Sequence, residues 1–246
     1  MITTAMVLAA GLGKRMRPLT ETIPKPLVPV AGRTLLDRAL DRLVEAGVMR
    51  AVVNVHYLAD QLRDHLAGRK DLEIIISDET DALLETGGGL VRALPLLGDE
   101  SFYVVNSDSL WLNGREDALR RLGAAWDAQD MDALLLLQQT VYAFGYDGLG
   151  DFQLGPSGEI TRRPEGEVVP YVFMGVQILN RRLFDDLPEA CQGRKFSLNP
   201  LYDRAIEQGR IRGLLHDGEW FHVGTPPDRE VAETFLSQRY AGRERR

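Results

Sequence analysis

Two glycines stand near the start of the chain with basic residues directly after them, in Leu8-Ala-Ala-Gly-Leu-Gly-Lys-Arg-Met-Arg-Pro-Leu-Thr20. Glycine backbone can approach a phosphate closely and offer it N–H donors. Lys14 and Arg15 add positive charge where a triphosphate would lie, and a second basic element follows at Lys25, boxed by Pro24 and Pro26. Two prolines set the backbone direction of that lysine, which a solvated lysine does not need. The run is not a Walker A loop, and Met16 stands where the third glycine of the dinucleotide fingerprint belongs. A tight turn with solvated basic residues would use the same glycines; the doubled basic element weighs against it.

Asp108 follows the β-rich run Phe102 to Val105. An acid at a strand end can hold Mg²⁺ against triphosphate oxygens; the other reading is a cap on the next helix. Glu85-Thr-Gly-Gly-Gly89 reads from its glycines as a flexible helix start. No Ser/His/Asp or Cys/His pattern accompanies these residues. Cys191 is the only cysteine, so an intramolecular disulfide and a cysteine zinc site are excluded and a reducing compartment fits. The net charge of −7 argues against a nucleic-acid partner. Lys14, Arg15, Arg17 and Lys25 face only Glu21 in their stretch, a balance suited to a small anionic ligand. With no apolar run of about 18 residues and no signal-peptide pattern, a cytoplasmic enzyme without a membrane partner is expected.

These residues need a scaffold. Strands are expected at Ala5 to Ala9, Ala51 to Val55, Leu72 to Ile76, Phe102 to Val105 and Ala133 to Gln138. Helices alternate with them at Leu35 to Ala46, Leu58 to Leu66, Gly88 to Leu97 and Glu116 to Gln129. Gly145 to Gly175 reads as a small β-rich insertion with strands around Phe152 and Val172. A core strand then follows at Val176 to Leu179, a helix at Pro200 to Gln208, a strand at Ile211 to Leu215 and a helix at Asp228 to Tyr240. Arg243 to Arg246 form a charged tail. The rhythm predicts one α/β domain over residues 1–246 with a Rossmann-like, mostly parallel sheet and helices on both faces. A site is expected at the carboxyl ends of the strands, where open α/β sheets place ligands.

The segment from Leu8 to Gly32 resembles the signature of sugar-phosphate nucleotidyltransferases, and the similarity continues at Glu85 to Gly89, Asn106 to Asp108, Phe173 to Phe184, Phe196 to Gly209 and Trp220 to Pro226. That resemblance implies transfer of a nucleoside monophosphate from an NTP to a sugar 1-phosphate, with residues 1–140 binding the nucleotide, 141–246 the sugar, and Glu85 to Gly89 lining a base and ribose pocket in which Leu83 and Leu84 pack on the base. Glu85-Thr-Gly-Gly-Gly89 and the run Phe196 to Ile211 point to a uridylyl-transferring branch, with a guanylyl-transferring branch as the alternative. It implies that Leu8, Ala9, Ala10, Gly11, Gly13, Lys14, Glu85, Thr86, Gly87 and Gly88 bind the nucleotide. Arg15 would stabilise charge on the α-phosphate and pyrophosphate, and Lys25 would hold the sugar phosphate. Arg163 sits where relatives carry the lysine of Glu-Lys-Pro; Gly175, Asn199 and Thr225 are further sugar-side candidates. Asn199-Pro200 also suits an ordinary helix start. The family's W-x-D-x-G-T-P motif is Trp220-Phe-His-Val-Gly-Thr-Pro226 here, so His222 replaces an acid. Three outcomes are open: Asp108 holds Mg²⁺ with phosphates and water, His222 ligates a softer ion such as Mn²⁺, or His222 meets phosphate; the first is favoured. The replacement also motivates a catalytically silent nucleotide-binding module. A transferase using CTP or a non-sugar phosphate is the remaining reading. Monomer or homodimer is expected.

Overall fold

The computed structural model describes residues 1–98 and 100–241, without the side chains of 240 and 241. The tail expected at Arg243 to Arg246 lies outside them. In chain order the strands are β1 (Thr4–Leu8), β2 (Pro29–Val30), β3 (Arg33–Thr34), β4 (Arg50–Val55), β5 (Glu73–Asp78), β6 (Ser101–Asn106), β7 (Ser109–Leu112), β8 (Ala133–Gln139), β9 (Ala143–Phe144), β10 (Phe152–Leu154), β11 (Ile160–Arg162), β12 (Tyr171–Asn180), β13 (Ile211–Leu215) and β14 (Glu219–His222). The helices are α1 (Leu35–Glu45), α2 (Ala59–Ala67), α3 (Glu85–Leu97), α4 (Ala118–Ala125), α5 (Asn199–Glu207) and α6 (Pro226–Ala241).

The central sheet runs β5-β4-β1-β6-β12-β8-β13. The strands β10 and β11 extend the same sheet from β12; its pairings are parallel except at β12, which is antiparallel to β6, β8 and β10, and between β10 and β11. Alternation along the strands places the helices. Ala5 and Val7 of β1 face the layer holding Leu40, Leu62 and Leu119 of α1, α2 and α4. Met6 faces the opposite layer, with Leu90 of α3 and Leu201 of α5. Each such buried leucine contributes about 1.5–3 kcal/mol. The helix α1 begins where Thr34 Oγ1 accepts from the Asp37 amide at 3.0 Å. No helix among the described residues is long and apolar enough to cross a membrane.

Four elements differ from the sequence reading. The helix expected at Glu116 to Gln129 covers only Ala118–Ala125, because Asp117 caps its start and Trp126 turns extended to donate from Nε1 to Ser101 Oγ. α3 starts at Glu85, ahead of the triple glycine. The strand around Val172 and the core strand at Val176 are one element, β12, whose register shifts between Phe173 and Gln177. A second sheet, β7-β14-β9, was not expected. With α6 it forms a separate core of Leu110, Phe221, Ala232 and Leu236, in which Met16, Val28 and Leu35 are also buried.

Candidate active site

The chain leaves β1 at Leu8, and the Ala9 N–H donates to Asn54 Oδ1 at 2.7 Å. The loop through Gly11 closes at Gly13, whose φ of 60° suits glycine. The Gly13 carbonyl accepts from the Met16 amide and from Thr20 Oγ1 at 2.8 Å. Met16 is fully buried in the third core, so it anchors the turn while Lys14 and Arg15 stay exposed. Met16 is therefore a packing residue where a dinucleotide loop would carry glycine. Pro24 is extended, and Lys25–Leu27 form a tight turn closed by Leu27 N–H donating to the Pro24 carbonyl at 2.8 Å. An ideal Cβ on Gly13 would lie 3.0 Å from Lys25 Cβ, so the two basic elements touch because Gly13 has no side chain.

Beside this loop, β6 ends at Asn106, and Ser107 and Asp108 form the turn into β7. The Ser107 amide donates to the Leu8 carbonyl at 3.1 Å, joining the two strand ends. Lys25 Nζ donates to Asp108 Oδ2 at 2.5 Å. The Lys25 side chain is 11% exposed and that of Asp108 38%, so the lysine is largely shielded while the carboxylate keeps a face open to a ligand. Asp108 caps no helix, because β7 follows it directly. Gly175, with φ of 75°, lies at the β12 irregularity; a Cβ there would meet Ser109 Oγ at 2.5 Å and Asn106 Nδ2 at 2.6 Å. Its missing side chain lets β12 pass close behind Asn106.

Together these residues enclose a cleft of about 400 Å³, lined by Leu8, Ala9, Ala10, Gly11, Gly13, Lys14, Arg15, Lys25 and Asp108 and, opposite, by Leu83, Glu85 and Thr86. Gly87 and Gly88 stand behind that wall. Both donate their amides to the Phe196 carbonyl, at 2.9 and 3.2 Å, and the Phe196 amide returns a bond to the Leu84 carbonyl. Thr86 Oγ1 accepts from the Leu198 amide at 3.0 Å. A Cβ on Gly87 would approach Phe196 Cδ2 to 2.6 Å. Of the expected nucleotide-binding residues, Gly87 and Gly88 do not line the cleft; their N–H groups are taken by the Phe196 segment, which satisfies free amides at the start of α3.

The remaining sugar-side candidates do not reach the cleft wall. Arg163 donates to the carbonyls of Gly150, Pro164 and Glu167. Asn199 accepts from Arg162, which also pairs with Asp203 and covers the Phe152 ring at 5.0 Å. Thr225 starts α6: Asp228 Oδ2 accepts from the Gly224 and Thr225 amides at 3.1 and 2.7 Å. Gly224 beside it does line the cleft. His222 lies on β14 opposite Ser109, with its ring 6.0 Å from that of Tyr146. Burial, reinforced by Arg15 and Lys25, pushes its pKa below the ordinary histidine value.

Two cleft residues escaped the motif reading. Asn54 is buried and donates to Glu79 Oε1 at 2.7 Å. Glu79 is fully buried, its Oε2 has no hydrogen-bond partner, and burial raises its pKa against the opposing effects of Asn54 and the Leu84 amide. The available signal was a polar residue inside the apolar run Val52-Val-Asn-Val55.

For a divalent cation the donor chemistry fits on one side only. No cluster of three or more His, Cys, Asp or Glu side chains that could hold a metal occurs among the described residues. Asp108 offers one partly open carboxylate, and Mg²⁺ is commonly held by one or two carboxylates plus substrate phosphates and water.

A model of the nucleotidyl transferase family matches residues 4–239. The N-acetylmuramate alpha-1-phosphate uridylyltransferase of Caulobacter vibrioides is 45% identical over 238 residues, 95% of this chain and 97% of that protein. The catalytic subunit beta of mannose-1-phosphate guanylyltransferase from Danio rerio is 28% identical over 91% of this chain and 62% of its own length. The fold matches that of an apo UDP-glucose pyrophosphorylase with a TM-score of 0.79 at 17% identity, over 98% of this chain and all of that one.

Proposed function

The chain belongs to the nucleotidyl transferase family, and from that premise we propose that it joins UTP to N-acetylmuramate 1-phosphate, giving UDP-N-acetylmuramate and pyrophosphate. The enzyme class, a nucleotidyltransferase moving a nucleoside monophosphate onto a sugar 1-phosphate, follows from the family and from the 45% identity. The sugar and base are taken from that relative, in preference to the mannose and guanine of the more distant one. The product would serve cell-wall recycling.

The observation that carries the mechanism is the meeting, in the cleft, of Asp108 from the end of β6 with Lys25, which packs against Gly13 of the glycine loop. A phosphate oxygen of the sugar 1-phosphate attacks the α-phosphorus; that P–O bond forms as the bond to the β-phosphate oxygen breaks, and pyrophosphate leaves with the electron pair. The nucleophile is already an anion, so no general base is needed. This accords with a cleft whose titratable groups are cations and carboxylates. The loop of Ala9 to Gly13 holds the phosphates, Arg15 offsets charge on the α-phosphate and leaving group, and Lys25 draws the two anions together. Asp108 would hold Mg²⁺ or Mn²⁺, which supplies further charge neutralisation on the triphosphate. His222 lies within electrostatic reach of Arg15, Asp108 and Lys25, and burial lowers its pKa.

Pyrophosphate release should be measured with UTP, GTP, CTP and dTTP against N-acetylmuramate, N-acetylglucosamine, glucose and mannose 1-phosphates. UTP with the muramate sugar is expected to lead. A lead for GTP with mannose would install the alternative pair, and silence throughout would leave a nucleotide-binding module. Arg15→Ala and Lys25→Ala should each lower turnover by roughly 10²–10⁴, the size expected for loss of a preorganised charge partner. Near-normal rates in both would remove these roles.

A further inference from the structure

The peptide group joining Leu8 to Ala9 is held from both sides. Its carbonyl accepts from the Ser107 amide at 3.1 Å, and its N–H donates to Asn54 Oδ1 at 2.7 Å. The β1–β4 register ends at Val7 and Val53, so the Asn54 side chain carries the contact between these strands past the end of the ladder. The next fixed point of the loop is the Gly13 carbonyl, which accepts from the Met16 amide and Thr20 Oγ1. Between the two, the amides of Ala10, Gly11 and Leu12 make no hydrogen bond among the described residues. Ala10 and Gly11 line the cleft, so their free amides hang between two anchors, one of which is a side chain.

The orientation of that side chain is forced. The Ala9 N–H can only donate, so it takes Oδ1, and the Asn54 amide nitrogen is left to donate to Glu79 Oε1 at 2.7 Å. Asn54 is 2% exposed and Glu79 is fully buried. Behind the pair α3 passes at Gly89, where an ideal Cβ would lie 2.7 Å from Glu79 Oε1 and 3.0 Å from Asn54 Nδ2. Gly89 does not line the cleft; its missing side chain leaves room for the pair. The other titratable groups within electrostatic reach of Glu79 are Arg92 of α3 and His56, whose Nδ1 is 2.6 Å from the Glu79 carbonyl oxygen.

We propose that Asn54 is a positioning residue for the phosphates: backed by Glu79 and Gly89, it fixes the Leu8–Ala9 peptide and so aims the Ala10 and Gly11 amides into the cleft, an inference that rests on the reading of this loop as the phosphate site and on no choice of base or sugar. Without Asn54 that peptide is held on one side only. A loop displaced by about 1 Å can cost roughly 10²-fold in rate, because transfer depends on the geometry at the α-phosphorus.

The test compares Asn54→Ala, Asn54→Asp and Gly89→Ala with wild type across pH, using whichever nucleoside triphosphate wild type turns over. Alanine at 54 removes both bonds and should lower kcat/KM for the triphosphate roughly 10–100-fold, with no recovery on acidification and with KM for the sugar phosphate unchanged. Aspartate keeps the acceptor for Ala9 but sets its second oxygen against Glu79, so that two carboxyls must share one proton. Its kcat/KM should approach the wild-type value at acid pH and fall to the alanine level as pH rises and that proton is lost. Gly89→Ala presses on the pair from outside the cleft and should reproduce the alanine defect. Should Asn54→Ala fail to fold, the isosteric aspartate at acid pH and Gly89→Ala carry the comparison. Wild-type kinetics in Asn54→Ala or Gly89→Ala, or an aspartate variant that does not recover on acidification, would overturn the proposal. A wild type that turns over no nucleoside triphosphate would instead remove the reading of the loop, and this inference with it.

Discussion

Replacing Gly11 by alanine separates what the fold needs from what the ligand needs. An ideal Cβ at Gly11 meets nothing within 4 Å, and its backbone is not left-handed. The folded chain accepts the methyl, and the unfolded chain loses freedom, so stability should rise by about 0.4–1 kcal/mol. The methyl enters the space beside the loop amides, where a phosphate must come close. Losing one charge-assisted N–H contact costs about 1.5–3 kcal/mol, a rise of roughly 10–150-fold in the KM for UTP. The sugar phosphate KM should stay near its wild-type value. Gly13→Ala behaves differently: φ of 60° adds about 1–2 kcal/mol of strain, and its Cβ would press on Lys25 Cβ at 3.0 Å, so both stability and turnover fall. Urea unfolding and initial rates with each substrate varied give both readouts. A destabilised Gly11→Ala enzyme, or one with unchanged UTP KM, refutes the assignment of this loop to the phosphates.

Gly87→Ala should displace the Phe196 ring and strain two backbone bonds, lowering stability by about 2–4 kcal/mol in thermal or urea unfolding; a neutral result would mean that the ring yields freely. Glu79→Gln isolates the buried carboxyl. Its folded pKa lies above the ordinary 4.5, so its contribution to stability is complete below that value and is lost as pH rises through the folded pKa. Wild-type stability minus that of the variant should fall as pH rises above the ordinary carboxyl value of 4.5, and a flat difference would show that burial does not perturb the group. Asp108→Asn should cut turnover at least about 100-fold and weaken Mg²⁺-dependent UTP binding in calorimetry. Full binding and turnover in that variant would place the metal elsewhere.

Much of this protein was legible along the chain. The alternation of apolar runs located β1, β4, β5, β6 and β8 and the helices between them, because burial on both faces of a sheet demands that pattern. Gly11, Gly13, Arg15 and Lys25 could be read from residue type and spacing, since a phosphate needs close backbone and nearby positive charge whatever the surrounding fold. Asp108 was legible as a strand-end acid, but its pairing with Lys25, 83 positions away, was not. The triple glycine was visible and its use was not: only the folded chain brings Phe196 onto Gly87. The sugar-side candidates fared similarly. Arg163, Asn199 and Thr225 bind the protein's own backbone and side chains, and the second sheet that seats Met16 joins β7, β9 and β14 from distant parts of the chain. Local chemistry is written in neighbouring residues; contacts between segments depend on which surfaces remain unsatisfied when the whole chain has packed, and that is decided only in three dimensions.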